Sequence, residues 1–266
     1  EQSKIAIAQA LDSLNIQDEF NIIEFSRVAN SWRTQPVIAD STNIANAKSF
    51  LNSIFLRGGT RMDLAIETAL SQIPDEAKNN ALIAFTDGRS PVDPRQIAEQ
   101  NAFNAGIFPI GIGDNLSRAR LEMTASLNHG FVTYLNEADP LAQRMSELIH
   151  KVSSPLMLDT QLEIGQASVS RVYPQTIPAT FSGSNFFITG RYDVPGNSAL
   201  SLAGVGIDGV QAFDFRLEFA DLGEPIEGKF TEAVWAREAI DALEHEIEVY
   251  GEQDALRDSL ITLSLK

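Results

Sequence analysis

Helical and strand-like patterns alternate along the first 150 residues, and this alternation limits the possible folds more than any other feature. Apolar residues recur at helical spacing in segments that predict helices at 7–14, 44–55, 62–73, 94–104, 116–127 and 141–152. Short apolar runs between them predict strands at 20–25, 79–85, 106–112 and 131–135. Parallel strands joined by crossover helices produce such a pattern, with helices on both faces of the sheet. The sequence therefore predicts an α/β fold with a doubly wound, mostly parallel sheet.

The pattern changes at Ser153-Ser154-Pro155. From Met157 to Phe219 there are short alternating segments, of which Phe186–Thr189 is one, separated by clusters of Gly, Pro, Asn and Asp. Segments of this length and spacing are typical of antiparallel β-sandwiches. We therefore expect an antiparallel β region after the α/β domain.

The last part of the chain is predicted to be helical. From Ala233 to Tyr250, apolar residues fall at alternating spacings of three and four, and a shorter helix is expected at Asp254–Leu265. The predicted organisation is an α/β domain at 1–154, a sandwich-like β region at 155–228 and a helical extension at 229–266.

Composition excludes several classes of function. The chain has 266 residues, 44% of them hydrophobic, which is enough for a substantial core. A formal charge of −16 repels nucleic acids and anionic membranes and attracts cations. The absence of cysteine excludes disulfides, thiolate nucleophiles and zinc–thiolate sites. No apolar run reaches the roughly 18 residues of a membrane span.

Two short motifs indicate a metal site. Gly58-Gly59-Thr60 precedes a predicted helix, and Thr86-Asp87-Gly88 ends a predicted buried strand. Ligands of a doubly wound sheet bind where loops leave the carboxyl ends of the strands. The Thr60 hydroxyl and the Asp87 carboxylate could meet there, with Gly58, Gly59 and Gly88 allowing close approach of the backbone. Oxygen donors of this kind suit Mg²⁺.

Each motif also has a purely structural interpretation. Thr60-Arg61-Met62-Asp63 has the form of a capping box, in which Thr60 stabilises the helix by about 1 kcal/mol. Thr86-Asp87-Gly88 could be an ordinary turn after a strand. The order of the two motifs within the α/β pattern favours the metal site, because the 27 positions from Thr60 to Asp87 accommodate one helix and one strand.

The two motifs, and their order along the chain, resemble those of the von Willebrand factor A family. Its members carry an Asp-x-Ser-x-Ser loop, a threonine in a Gly-Gly-Thr loop and an aspartate in a Thr-Asp-Gly loop, and Thr60 and Asp87 match the last two. The resemblance implies a metal ion-dependent adhesion site, with Mg²⁺ held directly by Thr60 and directly or through water by Asp87. The Asp-x-Ser-x-Ser loop has no counterpart here, because Ser3 stands alone and Asp12-Ser13 lies in a helical pattern. We interpret the chain as truncated before the first strand and expect it to bind Mg²⁺ weakly by itself.

Later segments are similar to inter-alpha-trypsin inhibitor heavy chains and their bacterial relatives. The matching motifs are Tyr173-Pro174, Phe181-Ser182-Gly183-Ser184, Gly190-Arg191-Tyr192, Trp235-Ala236 and Tyr250-Gly251. In that family a VIT domain precedes the A domain, and the bacterial relatives are typically exported or anchored at the cell surface. The resemblance implies an extracellular or cell-surface protein of bacterial origin.

Other functional motifs are absent from the sequence. Gly111-Ile112-Gly113 lacks the third glycine of a dinucleotide-binding loop, and Ser182-Gly183-Ser184 is not a nucleophile elbow. The histidines at 129, 150 and 245 are far apart and form no metal-binding pair. We assign no catalytic residue.

These observations predict a cation-dependent module that binds a protein or matrix ligand. The resemblance implies that an acidic group of the partner completes the coordination of the metal. An alternative is an intracellular A-domain subunit of a chelatase-like or chaperone-like ATPase complex, although such subunits usually lack the β region. A third possibility is a metal-dependent hydrolase that uses Asp87.

Overall fold

The computed structural model describes most of the chain and divides it into two compact units, Glu1–Pro155 and Leu156–Lys266. The described residues are 2–55, 61–73, 80–86, 91–113, 116–136, 139–153, 155–165, 169–181, 183, 185–206, 209–221 and 230–264.

The first unit combines helices with short strands. Its helices are α1 (Gln2–Asp12), α2 (Ser41–Ser53), α3 (Met62–Leu70), α4 (Pro94–Gln100), α5 (Arg118–Ser126) and α6 (Leu141–Ser153). Its strands are β1 (Glu19–Phe20), β2 (Ile23–Phe25), β3 (Ala29–Ser31), β4 (Val37–Ile38), β5 (Ala81–Thr86), β6 (Gly106–Ile112) and β7 (Thr133–Leu135).

A parallel sheet with strand order β5-β6-β7 organises this unit. Its register pairs Ala81 with Gly106 and Thr86 with Gly111. The central strand β6 is buried from Gly106 to Gly111, on both of its faces. Burial on both faces explains why the sequence of β6 is a continuous apolar run rather than an alternating one.

Helices cover both faces of the parallel sheet. On one face, Ile107 of β6 belongs to a buried cluster with residues of α3, α4 and α5. On the other face, the rings of Phe108 and Phe131 lie 5.1 Å apart, and Lys151 Nζ of α6 lies 4.2 Å from the Phe131 ring centre. The predicted α/β class with a doubly wound sheet is confirmed.

A second apolar cluster lies under α1 and α2. It includes Leu11, Phe20 and Leu51, and the Phe20 ring stacks on Trp32 at 5.6 Å. Two antiparallel pairs, β1 with β4 and β2 with β3, flank this region. The prediction of one continuous strand at 20–25 is wrong, because the Asn21 side chain interrupts the ladder by accepting the backbone N–H groups of Ile22 and Arg33.

The predicted helix at 94–104 ends early. Helix α4 stops at Gln100 because the Asn101 side chain accepts the Ala105 N–H at 2.9 Å and donates to the Ala105 carbonyl at 2.9 Å. Asn104 then adopts a φ of 51°, in the left-handed region. This side-chain turn leads directly into β6.

The second unit contains antiparallel strands followed by two helices. The strands are β8 (Pro155–Ile164), which begins at the boundary, β9 (Val169–Tyr173), β10 (Thr180–Phe181), β11 (Thr189–Tyr192), β12 (Gly196–Gly206) and β13 (Gly209–Phe219). The helices are α7 (Phe230–Tyr250) and α8 (Asp254–Ser264). The predicted antiparallel β region and C-terminal helices are therefore confirmed.

The strands of this unit form two sheets among the described residues. One has the order β10-β8-β12-β13, and the other pairs β9 with β11. The predicted strand at Phe186–Thr189 is wrong in its first three residues, since β11 begins at Thr189 and the Phe187 side chain is 80% exposed. Apolar residue type alone indicated a strand there, without a neighbouring strand to pair with.

Helix α7 packs on the pair β9–β11 through Trp235. The indole N–H donates to the Arg171 carbonyl at 2.9 Å, the Tyr173 ring lies 6.4 Å away, and the Arg191 guanidinium stands 4.1 Å above the indole. Trp235 is buried, so this contact joins α7 to the sheet. None of the helices in the described ranges has the length and apolar character required to cross a bilayer.

Candidate functional site

All five residues predicted to form the metal site lie outside the described residues. They are Gly58, Gly59, Thr60, Asp87 and Gly88. The structure does describe the residues next to them, Arg61 after Thr60 and Thr86 before Asp87. Arg61 and Thr86 therefore mark the described surroundings of the candidate site.

Thr86 is the last residue of β5 and is buried. It pairs with Gly111 in the parallel register, so β5 and β6 reach the same edge of the sheet. Along β5, Thr86 shares its face with Leu82 and Ala84, because side chains in a strand alternate. Leu82 and Ala84 pack against the cluster that contains Met62 and Ile66 of α3, which places Thr86 on the α3 side of the sheet.

Helix α3 begins at this same edge. It precedes β5 in the chain and packs on it, and a helix that leads into a strand through a short connection runs antiparallel to that strand. The amino end of α3 therefore lies toward the carboxyl end of β5, where ligands bind in open α/β sheets. Arg61 and Thr86, the neighbours of Thr60 and Asp87, belong to elements that converge on one edge.

Arg61 is held by two kinds of contact. Its N–H donates to the Ser26 carbonyl at 2.8 Å, which ties the start of α3 to the residue after β2. Its guanidinium donates from Nε to both oxygens of Asp63, at 2.8 and 2.9 Å, and from Nη2 to Oδ2 at 2.6 Å. These hydrogen bonds lower the pKa of the Asp63 carboxyl, while burial opposes the shift.

In the structure, Asp63 does not occupy the position that the predicted capping box with Thr60 requires. Helix α3 begins at Met62 with Arg61 as the N-cap residue, and Arg61 makes no side-chain capping bond. Asp63 is therefore one position too early to be the third helical residue that closes a capping box. Its carboxylate pairs with Arg61 instead.

A second polar group stands at the carboxyl ends of β6 and β7. The Tyr134 hydroxyl donates to Glu122 Oε1 at 2.7 Å, and the Arg118 guanidinium lies 4.3 Å from the Tyr134 ring centre. Gly113, directly after β6, has a φ of 99°, a conformation that favours glycine. This edge of the sheet thus carries both a negatively charged side chain, Glu122, and a positively charged one, Arg118.

The family model of the von Willebrand factor type A domain matches residues 1–147, which is more than half of the chain. The chain belongs to the von Willebrand factor type A domain family. The resemblance inferred from Thr60 and Asp87 is confirmed at the level of the family. Domains of this family typically mediate protein–protein or adhesive interactions, and they often bind Mg²⁺.

Similarity to curated proteins extends beyond the type A domain. Human inter-alpha-trypsin inhibitor heavy chain H4 is 28% identical over 291 aligned positions, covering 100% of this chain and 31% of that protein. Heavy chain H2 from Sus scrofa is 26% identical over 272 positions, covering 91% of this chain and 28% of that protein. The chain spans about a third of the length of these relatives.

Solved structures share the fold. A von Willebrand factor type A protein from Catenulispora acidiphila superposes with a TM-score of 0.64 at 17% identity, covering 98% of this chain and 76% of that one. The ArnB paralog VWA2 from Sulfolobus acidocaldarius superposes with a TM-score of 0.52 at 17% identity, covering 99% and 75%. At these identities the likeness concerns the fold alone.

The residue types predicted for the candidate site of this von Willebrand factor type A domain are oxygen donors. Threonine hydroxyl, aspartate carboxylate and backbone carbonyl are the donors that Mg²⁺ prefers. Arg61, the residue after Thr60, carries a positive charge that is already paired with Asp63. In the described ranges, no group of three or more His, Asp or Glu side chains is placed to hold a metal, and those ranges do not include Asp87.

Sequence reasoning missed two features of this edge. Arg61 and Asp63 are interpreted in the sequence only as part of a capping box. Their opposite charges, two positions apart at the start of a predicted helix, could have indicated the ion pair. The contact between Tyr134 and Glu122 joins a strand to a helix 12 positions earlier, and no local pattern marks it.

Proposed function

We propose that this chain is a cation-dependent module that binds a protein or an extracellular-matrix ligand. Mg²⁺ would be held by the Thr60 hydroxyl directly and by the Asp87 carboxylate directly or through water. The backbone at Gly58, Gly59 and Gly88 would permit close approach. The observation that carries the proposal is the convergence of α3 and β5, the elements next to Thr60 and Asp87, on the carboxyl edge of the parallel sheet.

The bound ion would supply a positive charge that accepts an acidic group of the partner. The chain itself supplies oxygen ligands and a formal charge of −16, which attracts the cation to the surface. The Arg61–Asp63 pair reduces the repulsion that an unpaired guanidinium would exert on a cation bound by the neighbouring Thr60. The partner carboxylate would therefore meet the metal rather than a protein cation.

The same proposal makes the protein a binding partner rather than an enzyme. Similarity to inter-alpha-trypsin inhibitor heavy chains over the whole chain supports this, and so does a sequence in which no nucleophile or base is paired with Asp87. The same similarity supports the proposal of an extracellular or cell-surface location. Localisation of the protein in fractionated cells and culture medium tests that part.

We also propose three domains, an A domain at 1–154 that contains Thr60 and Asp87, a sandwich-like β region at 155–228 and a helical extension at 229–266. The division into compact units at Pro155 supports the first of these boundaries. Limited proteolysis should cut first near residue 154. A fragment of residues 1–154 should then respond to Mg²⁺ as the whole chain does.

Thermal unfolding with and without Mg²⁺ tests the site. At a free Mg²⁺ concentration ten times the dissociation constant, binding stabilises the folded state by about 1.4 kcal/mol. Two chains are compared, the 266-residue chain and the same chain with a strand and an Asp-x-Ser-x-Ser loop joined ahead of Glu1. We expect a weak response in the first and a saturable rise in melting temperature in the second.

Asp87→Ala and Thr60→Ala should each abolish the Mg²⁺ response of the second chain. Asp193→Ala is the matched control, because Asp193 is an exposed aspartate in the other unit. It should leave the response unchanged. An equal response in wild type and Asp87→Ala would contradict the assignment of the site.

A further inference from the structure

Strand β13 forms an edge of its four-stranded sheet among the described strands, beside β12. The two strands pair over eleven consecutive positions, from Gly196 with Phe219 to Gly206 with Gly209, without a shift of register. Proteins usually protect such edges with a β-bulge, a proline or charged side chains, most often lysine. Residues 209–219 contain neither proline nor lysine, and the ladder contains no bulge.

One face of this sheet is apolar and partly open. The register places Leu200 between Phe215 and Ile164, and Leu202 between Phe213 and Leu162. Phe213 is 39% exposed and Phe215 is 49% exposed. The apolar face therefore continues across three strands to the free edge of β13.

The opposite face of β13 carries three charged side chains, on Asp214, Arg216 and Glu218, all of them exposed. Asp214 and Arg216 have no ion-pair partner in the part of the chain that the structure describes. These two residues flank Phe215 in the sequence. In an antiparallel pair of two β13 strands centred on Phe215, each Asp214 therefore lies directly opposite the Arg216 of the other strand.

We propose that β13 pairs with β13 of a second copy of this chain, antiparallel and centred on Phe215. This register joins two four-stranded sheets into one of eight strands and forms the Asp214–Arg216 pair twice. Opposite charges in cross-strand pairs stabilise a sheet, and like charges destabilise it. The same register sets Phe213 opposite Leu217, which keeps the apolar face continuous.

The charges of the chain favour a second copy as the partner of this strand edge. The formal charge of −16 makes two copies repel each other in most orientations. A register centred on Phe215 brings both arginines onto both aspartates and pairs nine positions of each strand, 211–219, whereas one centred on Leu217 would pair Arg216 with Glu218 over only five, 215–219. A closed two-fold contact of this type uses each free edge once and ends at a dimer.

Sedimentation of charge-reversed variants tests the pairing. The wild-type chain should form a dimer of twice 29.1 kDa as its concentration rises. Arg216→Asp and Asp214→Arg should each weaken dimerisation at least tenfold, because each places two like-charged pairs across the interface. The double variant D214R/R216D should dimerise like wild type, and an equimolar mixture of the two single variants should form a heterodimer.

Glu163→Arg is the matched control for Asp214→Arg, because Glu163 is exposed on β8, an inner strand of the same sheet. It should leave the dimer intact, and circular dichroism should show all variants folded. A wild-type chain that stays monomeric at every concentration would overturn the proposal. A dimer that survives both single reversals would also overturn it, because another surface would then form the contact.

Single cysteines test the register directly, since the chain contains no cysteine of its own. In the proposed pair, residue 215 faces itself, within the distance that a disulfide spans. Residue 213 faces 217, so the two copies of residue 213 lie about 13 Å apart. Phe215→Cys should crosslink on mild oxidation and Phe213→Cys should not. Equal crosslinking of both would overturn the register.

Discussion

Arg61 and Asp63 form a bidentate ion pair at the start of α3, with Nε 2.8 Å from Oδ1 and Nη2 2.6 Å from Oδ2. The pair holds a guanidinium beside a carboxylate within the first turn of the helix, where a negative charge also interacts favourably with the helix dipole. The N–H of Arg61 is bonded to Ser26. The segment that follows Thr60 is thus fixed at both backbone and side chain.

The Arg61–Asp63 pair should make stability depend on pH in the acid range. The hydrogen bonds from Arg61 lower the pKa of Asp63 in the folded state. On acidification, the unfolded state therefore takes up a proton at this carboxyl at a higher pH than the folded state does. The contribution is complete above the ordinary pKa of 3.8 and is lost as the pH falls through the lower folded value. In urea titrations below pH 5, Asp63→Asn should lose less stability than wild type on acidification.

Arg61→Gln is the companion variant for this measurement. It removes the other half of the pair, so it should flatten the acid dependence as Asp63→Asn does, and the double variant should add nothing further. Independent, additive effects of the two substitutions would show that the pair does not cause the dependence.

Gly130 makes a close backbone approach that no other residue type can reproduce. A Cβ added there would lie 1.7 Å from the carbonyl oxygen of Ile107, a residue buried in the central strand. Gly130→Ala should therefore cost about 3 kcal/mol or more of unfolding free energy. Gly165→Ala is the control, because a Cβ there meets its nearest atom at an ordinary 3.4 Å. Similar urea midpoints for both variants would contradict this reasoning.

Local pattern predicted the elements that have a strong period or a continuous apolar run. Strand β6 and helix α6 could be predicted because burial imposes such a pattern on the sequence. The end of α4 could not be predicted in this way, because it depends on hydrogen bonds between the Asn101 side chain and a residue four positions later. The break at Asn21 has the same cause.

The candidate site was predictable only in part. The order of Thr60 and Asp87 in an α/β alternation indicated the carboxyl edge of the sheet, and topology makes that edge the binding edge. The ion pair of Arg61, the tie to Ser26 and the contact of Tyr134 with Glu122 depend on how separate elements pack. Sequence spacing carries no information about such contacts.

Asn101 lies in a buried polar network whose loss should be costly. Its amide donates to Asn128 Oδ1 and to the Ala105 carbonyl, both at 2.9 Å, and its oxygen accepts the Ala105 N–H. Asn101→Ala leaves these buried groups without their partner, at about 1–3 kcal/mol for each unsatisfied group. We expect a loss of about 3 kcal/mol in urea unfolding. Asn104→Gly, in the same turn but at a positive φ, should be neutral or stabilising.

Trp235 anchors α7 to the pair β9–β11, and truncating it should destabilise the second unit. The side chain is 4% exposed and donates to the Arg171 carbonyl. Trp235→Ala should cost about 3–5 kcal/mol. Trp235→Phe keeps an aromatic ring against Tyr173 and Arg191 but removes the donor, so about 1–2 kcal/mol is expected.

Phe230→Ala is the matched control for Trp235→Ala, because Phe230 starts the same helix but is 79% exposed. Its effect on unfolding free energy should stay within about 0.5 kcal/mol. Far-UV circular dichroism in urea measures all three variants without depending on tryptophan fluorescence. If Trp235→Ala cost no more than Phe230→Ala, then α7 would not be anchored through the indole, and the contact with Arg171 would contribute little to the stability of this unit.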